Sequence, residues 1–306
     1  MTHVAVLHGG VSAEREVSLA TGAQVVAALR AAGFTVTPID VTRDLSAVIA
    51  ALQAAAPDVV FNALHGRFGE DGCMQGVLDW LGLPYTHSGL RASALAMDKQ
   101  AAKAAFVAAG LPVATGQLVT PEALEAADPL PRPFVVKPVN EGSSVGVTIL
   151  REGDNRRAEI ARGWAFGPRI MVEAFIPGRE LTVAIMGDRA LEVTEIATGH
   201  VFYDYAAKYE DGGSLHTLPA PIHPMIRAQA MDVALRAHRA LGCRGVSRAD
   251  LRYDDTAGEP GQLYLLEVNT QPGMTRTSLV PEQAAHVGIR FPDLCAWMVR
   301  EAACGA

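Results

Sequence analysis

Over residues 1–95 the chain keeps switching between short apolar runs and stretches of helical spacing, and this alternation constrains the fold more tightly than any other feature. Val4–His8 is a brief apolar run that ends in Gly9-Gly10. From Glu16 to Ala32 the apolar residues Val17, Ala20, Val25, Ala28 and Leu29 recur at helical intervals, and the pattern stops at Gly33. Phe34–Val41 predicts a second strand, Leu45–Ala56 a second helix and Asp58–Leu64 a third strand. A short helix near Met74–Leu81 and a Pro84-Tyr85 strand complete the unit. Strands alternating with helices call for a mainly parallel sheet covered on both faces, a doubly wound α/β domain.

From Ser88 the pattern changes. An Ala-rich helix pair leads to Leu111-Pro112, and Thr120-Pro121-Glu122 reads as an N-cap followed by a first-turn proline. Phe134–Pro138 predicts a strand, followed by a Gly/Ser loop and strands at Val147–Leu150 and Arg169–Phe175, an α+β unit placed at 96–179. The rest, 180–306, opens with the β-rich runs Glu180–Met186 and Ala190–Ala197 and a loop at 199–221. An amphipathic helix, Pro224–Leu241, ends at Gly242 and is followed by two strands, Gly245–Tyr253 and Gln262–Val268. One hydrophobic core stops growing at about 250–300 residues, so a chain of 306 divides, here into 1–95, 96–179 and 180–306.

Composition removes whole classes of function. A net charge of −7 argues against a nucleic-acid or anionic-membrane surface, while leaving room for a locally basic pocket. Cys73, Cys243, Cys295 and Cys304 are scattered without a CxxC pair, the pattern of reduced thiols and not of a disulfide framework or metal cluster. The Met1–Leu7 segment has no basic n-region, and no apolar stretch reaches the ~18 residues of a membrane span. The expectation is a soluble cytoplasmic protein.

Two constellations carry chemistry. Glu141-Gly142-Ser143-Ser144-Val145-Gly146 follows Val135-Val136-Lys137-Pro138. Alone, a Gly/Ser loop reads as a hairpin turn; a lysine just before it turns the reading toward an anion gripped by backbone N–H groups and a point charge. It is not a Walker A loop, since the GK[ST] ending is missing. On the C-terminal hairpin, Arg248 and Asp250 share one strand face, as do Glu267 and Asn269 on the next strand. Antiparallel pairing brings Asp250 within about two residues of Glu267. Two carboxylates and an amide oxygen suit Mg²⁺ with phosphates completing the shell; the competing reading is a polar stripe with a cross-strand ion pair. Two further segments are weaker. Asp204-Tyr205-Ala206-Ala207-Lys208-Tyr209 reads as a lid or as an aromatic-stapled loop. Glu14 and His65 lie near helix and strand ends, where doubly wound folds place ligands.

Together these segments resemble the D-alanine–D-alanine ligase family of the ATP-grasp superfamily. The likeness runs from Val4 almost to Phe291, on LHGGVSAEREVSL (7–19), ALHGRFGEDG (63–72), MDK (97–99), VKPVNEGSSVGV (136–147), YDYAAKY (203–209), SRADL (247–251) and LLEVNTQPGMTRTSLVP (265–281), in that order. The resemblance implies an ATP-grasp fold behind an N-terminal doubly wound domain. It implies that ATP and two Mg²⁺ ions (with Mn²⁺ an alternative) serve to join two D-alanines through a D-alanyl phosphate for peptidoglycan synthesis. By the same resemblance Lys99 and Lys137 contact the phosphates under the loop holding Ser143 and Ser144, with Lys208 also on the nucleotide. Glu173 and Glu180 are the polar contacts of the adenine pocket, and Asp250, Glu267 and Asn269 hold the metal. Glu14 binds the first ammonium with His65 nearby, in a hydrogen-bonded set with Ser143 and Tyr209. Arg248 and the backbone at Gly273 stabilise the tetrahedral intermediate, and Ser278-Leu279 meets the second carboxylate. A homodimer is implied too.

Ala174 stands where many relatives carry a lysine beside the adenine, and Ala206 and Ala207 lighten the lid. Three other readings stay open. A different carboxylate–amine ligase of the ATP-grasp group would differ chiefly in the first domain. A nicotinamide-dependent dehydrogenase lacks its GxGxxG fingerprint here. A non-catalytic binding protein would have no use for the complete set of lysines and carboxylates.

Overall fold

The computed structural model describes residues 1–142, 144–198 and 214–305. The first unit runs β1 (His3–Gly9), α1 (Arg15–Ala31), β2 (Thr35–Val41), α2 (Leu45–Ala55), β3 (Val59–Asn62) and α3 (Cys73–Leu81). Its three strands form a parallel sheet in the order β2-β1-β3. Side chains alternate across a strand, and here both faces are covered. Val4 and Val6 enter one core with α1, while Ala5 and Leu7 enter another with Val48, Leu52 and Leu78. That is why Val4–Leu7 reads as an unbroken apolar run. The expected Pro84-Tyr85 strand is smaller than predicted: Tyr85 makes one parallel bridge to Val60 and one antiparallel bridge to Ala303.

Next come α4 (Leu90–Met97), α5 (Lys99–Ala108), β4 (Gly116–Val119), α6 (Pro121–Ala126), β5 (Phe134–Lys137), β6 (Thr148–Leu150), α7 (Arg157–Arg162) and β7 (Ile170–Ala174). The Thr120 hydroxyl accepts from Ala123 N at 3.2 Å with Pro121 at the first helical position, the start signal read from the sequence. Four antiparallel strands, ordered β4-β7-β5-β6, pack on α6 and α7 through Leu124, Phe134, Val136, Leu150 and Ala161.

The last stretch holds β8 (Arg179–Met186), β9 (Arg189–Thr198), β10 (Ser214–Thr217), α8 (Pro224–Leu241), β11 (Val246–Asp254), β12 (Gln262–Asn269), α9 (Leu279–His286) and α10 (Phe291–Arg300). Its antiparallel sheet has the order β10-β9-β8-β11-β12. The expected loop at 199–221 therefore contains a strand, β10, paired with β9 from Ser214↔Thr198 to Thr217↔Glu195. Two packing facts cut across the linear division of the chain. Ala102 and Phe106 of α5 belong to the core of this five-stranded sheet, alongside Val183, Ala234 and Leu251. Leu294, Met298 and Val299 of α10 return to cover β1 of the first sheet.

Candidate active site

Asp98 caps α5, accepting from Gln100 N and Ala101 N, both at 3.0 Å, which sets Lys99 at the start of the helix. The Lys99 main-chain N–H donates to Val139 O at 3.0 Å, tying the helix to the Gly/Ser loop. Its ammonium donates to Glu141 O at 2.6 Å and lies 3.3 Å from Glu267 Oε2. One lysine thus joins α5, the Gly/Ser loop and β12.

On the hairpin, Asp250 stands directly opposite Glu267 and Arg248 opposite Asn269, with a register shift just beyond Asp250. The pairing falls within the two residues expected from the sequence. Arg248 grips Asp250 with two parallel hydrogen bonds, 2.8 and 2.7 Å, and the Thr182 hydroxyl donates to Asp250 Oδ1 at 2.7 Å. Asn269 Oδ1 accepts from Gln271 N at 2.8 Å. The Asp250 and Glu267 carboxylates are therefore charge-matched by the chain's own Arg248 and Lys99.

Behind the Gly/Ser loop, the Glu173 carboxylate forms ion pairs with both Lys103 and Lys137. Burial pushes the Glu173 pKa up, but the two ammonium groups outweigh it and leave it below the ordinary carboxylate value. Gly146 has φ +70°, and a Cβ there would sit 2.6 Å from the Phe166 ring, so the loop's end packs against that aromatic. Lys103 escaped the sequence reading, although its spacing four residues after Lys99 puts both on one helix face.

On the side of the first domain, Ser12 Oγ donates to His65 O at 2.7 Å and accepts from Glu14 N at 3.2 Å. The Glu14 carboxylate lies over Gly66, where a Cβ would come within 2.7 Å of it. Both ring nitrogens of His65 are engaged, Nε2 with the Thr21 hydroxyl and Nδ1 with Glu70, each at 3.0 Å. His65 is thus a braced wall of the site, and Glu70, five residues on, is a lining carboxylate that the sequence reading did not single out.

These groups line two adjoining cavities. The smaller, about 730 Å³, is bounded by Glu14, His65, Glu70, Arg248, Asn269 and Gly273. The larger, about 1160 Å³, has an apolar slot of Val135, Ile149, Ile176 and Leu266, with Lys137, Ser144, Glu173, Glu180 and Asp250 around it. Glu180 forms a 3.7 Å ion pair with Arg252 at its edge. Lys99, Glu141, Gly142 and Glu267 line both, so the cavities meet at the Lys99–Glu267 contact.

The comparisons with known proteins agree with this arrangement. Residues 45–88 match the family described as D-ala D-ala ligase N-terminus and residues 106–300 the D-ala D-ala ligase C-terminus. This chain belongs to the D-alanine–D-alanine ligase family. It is 67% identical over 303 residues to the D-alanine–D-alanine ligase of Granulibacter bethesdensis, covering 99% of this chain and 98% of that protein. It is likewise 67% identical over 305 residues to the enzyme of Acidiphilium cryptum, covering 99% of each. Among solved structures, the Bacillus anthracis D-alanine–D-alanine ligase superposes with a TM-score of 0.83 at 30% identity, covering 98% of this chain and 97% of that one. The Bacillus anthracis ligase complexed with ATP gives a TM-score of 0.81 at 26% identity, covering 98% and 97%. The fold is thus that of these ATP-grasp ligases, with its parallel-sheet N-terminal domain.

Of the residues expected for this family, Glu14, His65, Lys99, Lys137, Ser144, Glu173, Glu180, Arg248, Asp250, Glu267, Asn269 and Gly273 all line one or other cavity. Ser278 and Leu279 are not in the lining of either cavity, although a Cβ on the lining Gly273 would lie 2.9 Å from Ser278 Oγ. The Ser278 hydroxyl turns back to Thr275, at 2.8 Å from Oγ1, and Leu279 packs against Ile196. Ser143, Lys208 and Tyr209 lie outside the described residues.

Proposed function

We propose that this chain joins two D-alanines with ATP through a D-alanyl phosphate, in the cytoplasm and for peptidoglycan precursors. The observation that carries the reading is the meeting of a smaller cavity lined by Glu14, Glu70 and Arg248 with a larger one that holds an apolar slot, at Lys99 and Glu267. We assign the adenine to the slot of Val135, Ile149, Ile176 and Leu266, with Glu173 and Glu180 at its polar rim. Lys99 and Lys137 oppose the phosphates, with Ser143, Ser144 and Lys208 closing over them. Glu14 holds the ammonium of the first D-alanine beside the His65–Glu70 brace, so its carboxylate faces Lys99. A carboxylate oxygen then bonds to the γ-phosphorus as the bond to the ADP oxygen breaks. The neutral amine of the second D-alanine attacks the acyl carbon, inorganic phosphate leaves with its bonding pair, and the proton that the nitrogen sheds goes to the departing phosphate. Arg248 and the Gly273 main chain face the developing oxyanion, a charge that guanidinium meets at any working pH. At the start of α9 the Ser278 main-chain N–H is taken by Thr275 O, which leaves the Leu279 N–H to meet the second carboxylate. Tyr209, with Ser143 and Glu14, completes the set around the first substrate and shields the acyl phosphate from water.

The donor set Asp250, Glu267 and Asn269 fits Mg²⁺. All three are hard oxygen donors on one sheet face, and among the described residues no group of three or more Asp, Glu, His or Cys side chains is placed to hold an ion by itself. Such a set suits an ion that takes one or two carboxylates plus substrate phosphates. Asp250, Glu267 and Asn269 would hold two Mg²⁺ ions, which would supply charge neutralisation at the transferring phosphoryl group, with Arg248 and Lys99 facing the reacting atoms. We further propose the three-domain division 1–95, 96–179 and 180–306, and a homodimer. The test is an assay with ATP, Mg²⁺ and D-alanine, following ADP and phosphate and identifying product by mass. D-Ala–D-Ala formed in step with ADP, and absent with L-alanine, is the expected result; ADP release without dipeptide sinks the substrate assignment.

A further inference from the structure

We propose that Gln271 is a positioning residue that fixes the separation between the amino-acid wall and the metal-binding strand, and so sets how the first D-alanine meets the nucleotide. The proposal rests on the ligase reading above. Gln271 is only 1% exposed, and the two amides it meets, Asn62 and Gln75, are fully buried. Its main-chain N–H donates to Asn269 Oδ1 at 2.8 Å. Its side-chain Nε2 donates to Leu64 O. Its Oε1 accepts from Asn62 Nδ2 at 3.0 Å and from Gln75 Nε2 at 3.3 Å. The same two amides donate to Gly69 O, at 3.2 and 2.9 Å, and Leu64 N donates to Asn62 Oδ1 at 3.2 Å.

Leu64 and Gly69 bracket the short segment that presents His65 and Glu70 to the smaller cavity. Three carboxamides, Asn62 and Gln75 close to the segment in sequence and Gln271 far from it, therefore hold both of its ends, and the Gln271 main-chain N–H also holds the Asn269 oxygen. Adhesion between the units does not need this network, since Val6, Phe61, Met274 and Leu294 already share an apolar core there. A buried polar network is costly unless its members are satisfied, and it confers geometry that apolar packing does not. Gln271 must donate to one carbonyl and accept from two amides at once. Among side chains of its size only a carboxamide, or a protonated carboxyl group, can do both.

That requirement supplies the test. Gln271→Met keeps the length and bulk of the side chain but cannot donate to Leu64 O and is only a weak acceptor for the Asn62 and Gln75 amides; Gln271→Leu removes both functions. Parent and both variants are compared for dipeptide formation, with melting followed alongside. In both variants the KM for D-alanine should rise about tenfold, the scale of a small misplacement of reacting groups, while the KM for ATP stays within about twofold. A folded variant with the parent's KM for D-alanine, or one whose KM for ATP rises equally, overturns the proposal. If the Leu variant does not fold, the Met variant decides by the same readout. If neither folds, the network is needed for stability itself and the proposal is overturned. A parent that forms no dipeptide sinks the ligase reading, and the inference with it.

Discussion

Replacing Glu173 with Gln asks whether the paired lysines beside the nucleotide cavity are held by charge. The carboxylate takes Lys103 on one oxygen and Lys137 on the other, with side chains 8%, 17% and 11% exposed respectively. Gln keeps the volume, removes the negative charge, and turns an NH₂ donor toward one ammonium group. Two mostly buried cations are then left without their shared counter-charge. Removing one partner of a buried pair costs about 3–5 kcal/mol, and the partial reach of lysine stems to water places this case near ~3 kcal/mol at neutral pH. The assay is urea unfolding of parent and variant at a series of pH values. Because the folded-state pKa of Glu173 lies below its ordinary 4.5, the stabilisation is fully present above that value and is lost as pH falls through the lower folded one. The gap between the proteins should therefore hold steady from neutral pH into weak acid and close only in stronger acid. Buried histidines titrate alike in both proteins and cancel in the difference. A gap under about 1 kcal/mol at pH 7, or one that persists unchanged in acid, refutes the electrostatic account.

Three other outcomes are expected. Glu267→Gln should abolish turnover while leaving the fold intact, because it removes a metal charge at constant volume; ADP release at the parent's rate with the parent's Mg²⁺ dependence counts against the assignment. Gly146→Ala puts a Cβ 2.6 Å from the Phe166 ring at φ +70°, strain of about 1–3 kcal/mol, so the KM for ATP should rise several-fold. An unchanged KM would mean that the loop does not carry the phosphates. Burial holds the pKa of His87 at about 3 and that of His238 at about 4, against an ordinary 6.5. Their stabilisation is full above 6.5 and is lost as pH falls toward those values, so His238→Asn should flatten part of the stability loss between neutral pH and pH 4. Parallel urea midpoints in parent and variant over that range would contradict it.

Much of this was legible because the deciding signals are local. Pro224 at the first helical position and Gly242 in the left-handed conformation bound the helix Pro224–Leu241 where the sequence places it. The two-residue periodicity of Arg248/Asp250 and Glu267/Asn269 put these side chains on one face, and strand pairing brought them opposite each other. What stayed hidden depends on contacts between distant residues. Nothing local says that α5 packs on the five-stranded sheet or that the Gln271 amide meets Asn62 and Gln75. Nor does composition disclose that Arg248 rests on Asp250, since an arginine two residues from an aspartate has other partners open to it. The strand β10 was missed for a similar reason: a short run such as Ser-Leu-His-Thr becomes a strand only through its pairing with β9.

The helix that covers one face of the first sheet, Phe291–Arg300, has a consequence for the chain as it is made. Val4, Val6 and Phe61 leave the ribosome more than two hundred residues before Leu294, Met298 and Val299 arrive to cover them. At about 5–20 residues per second, the nascent first domain keeps the part of that apolar face not covered by α1 open to water for on the order of ten seconds or longer. The opening third of the molecule can form its strands early, but it is sealed only when the last helix emerges.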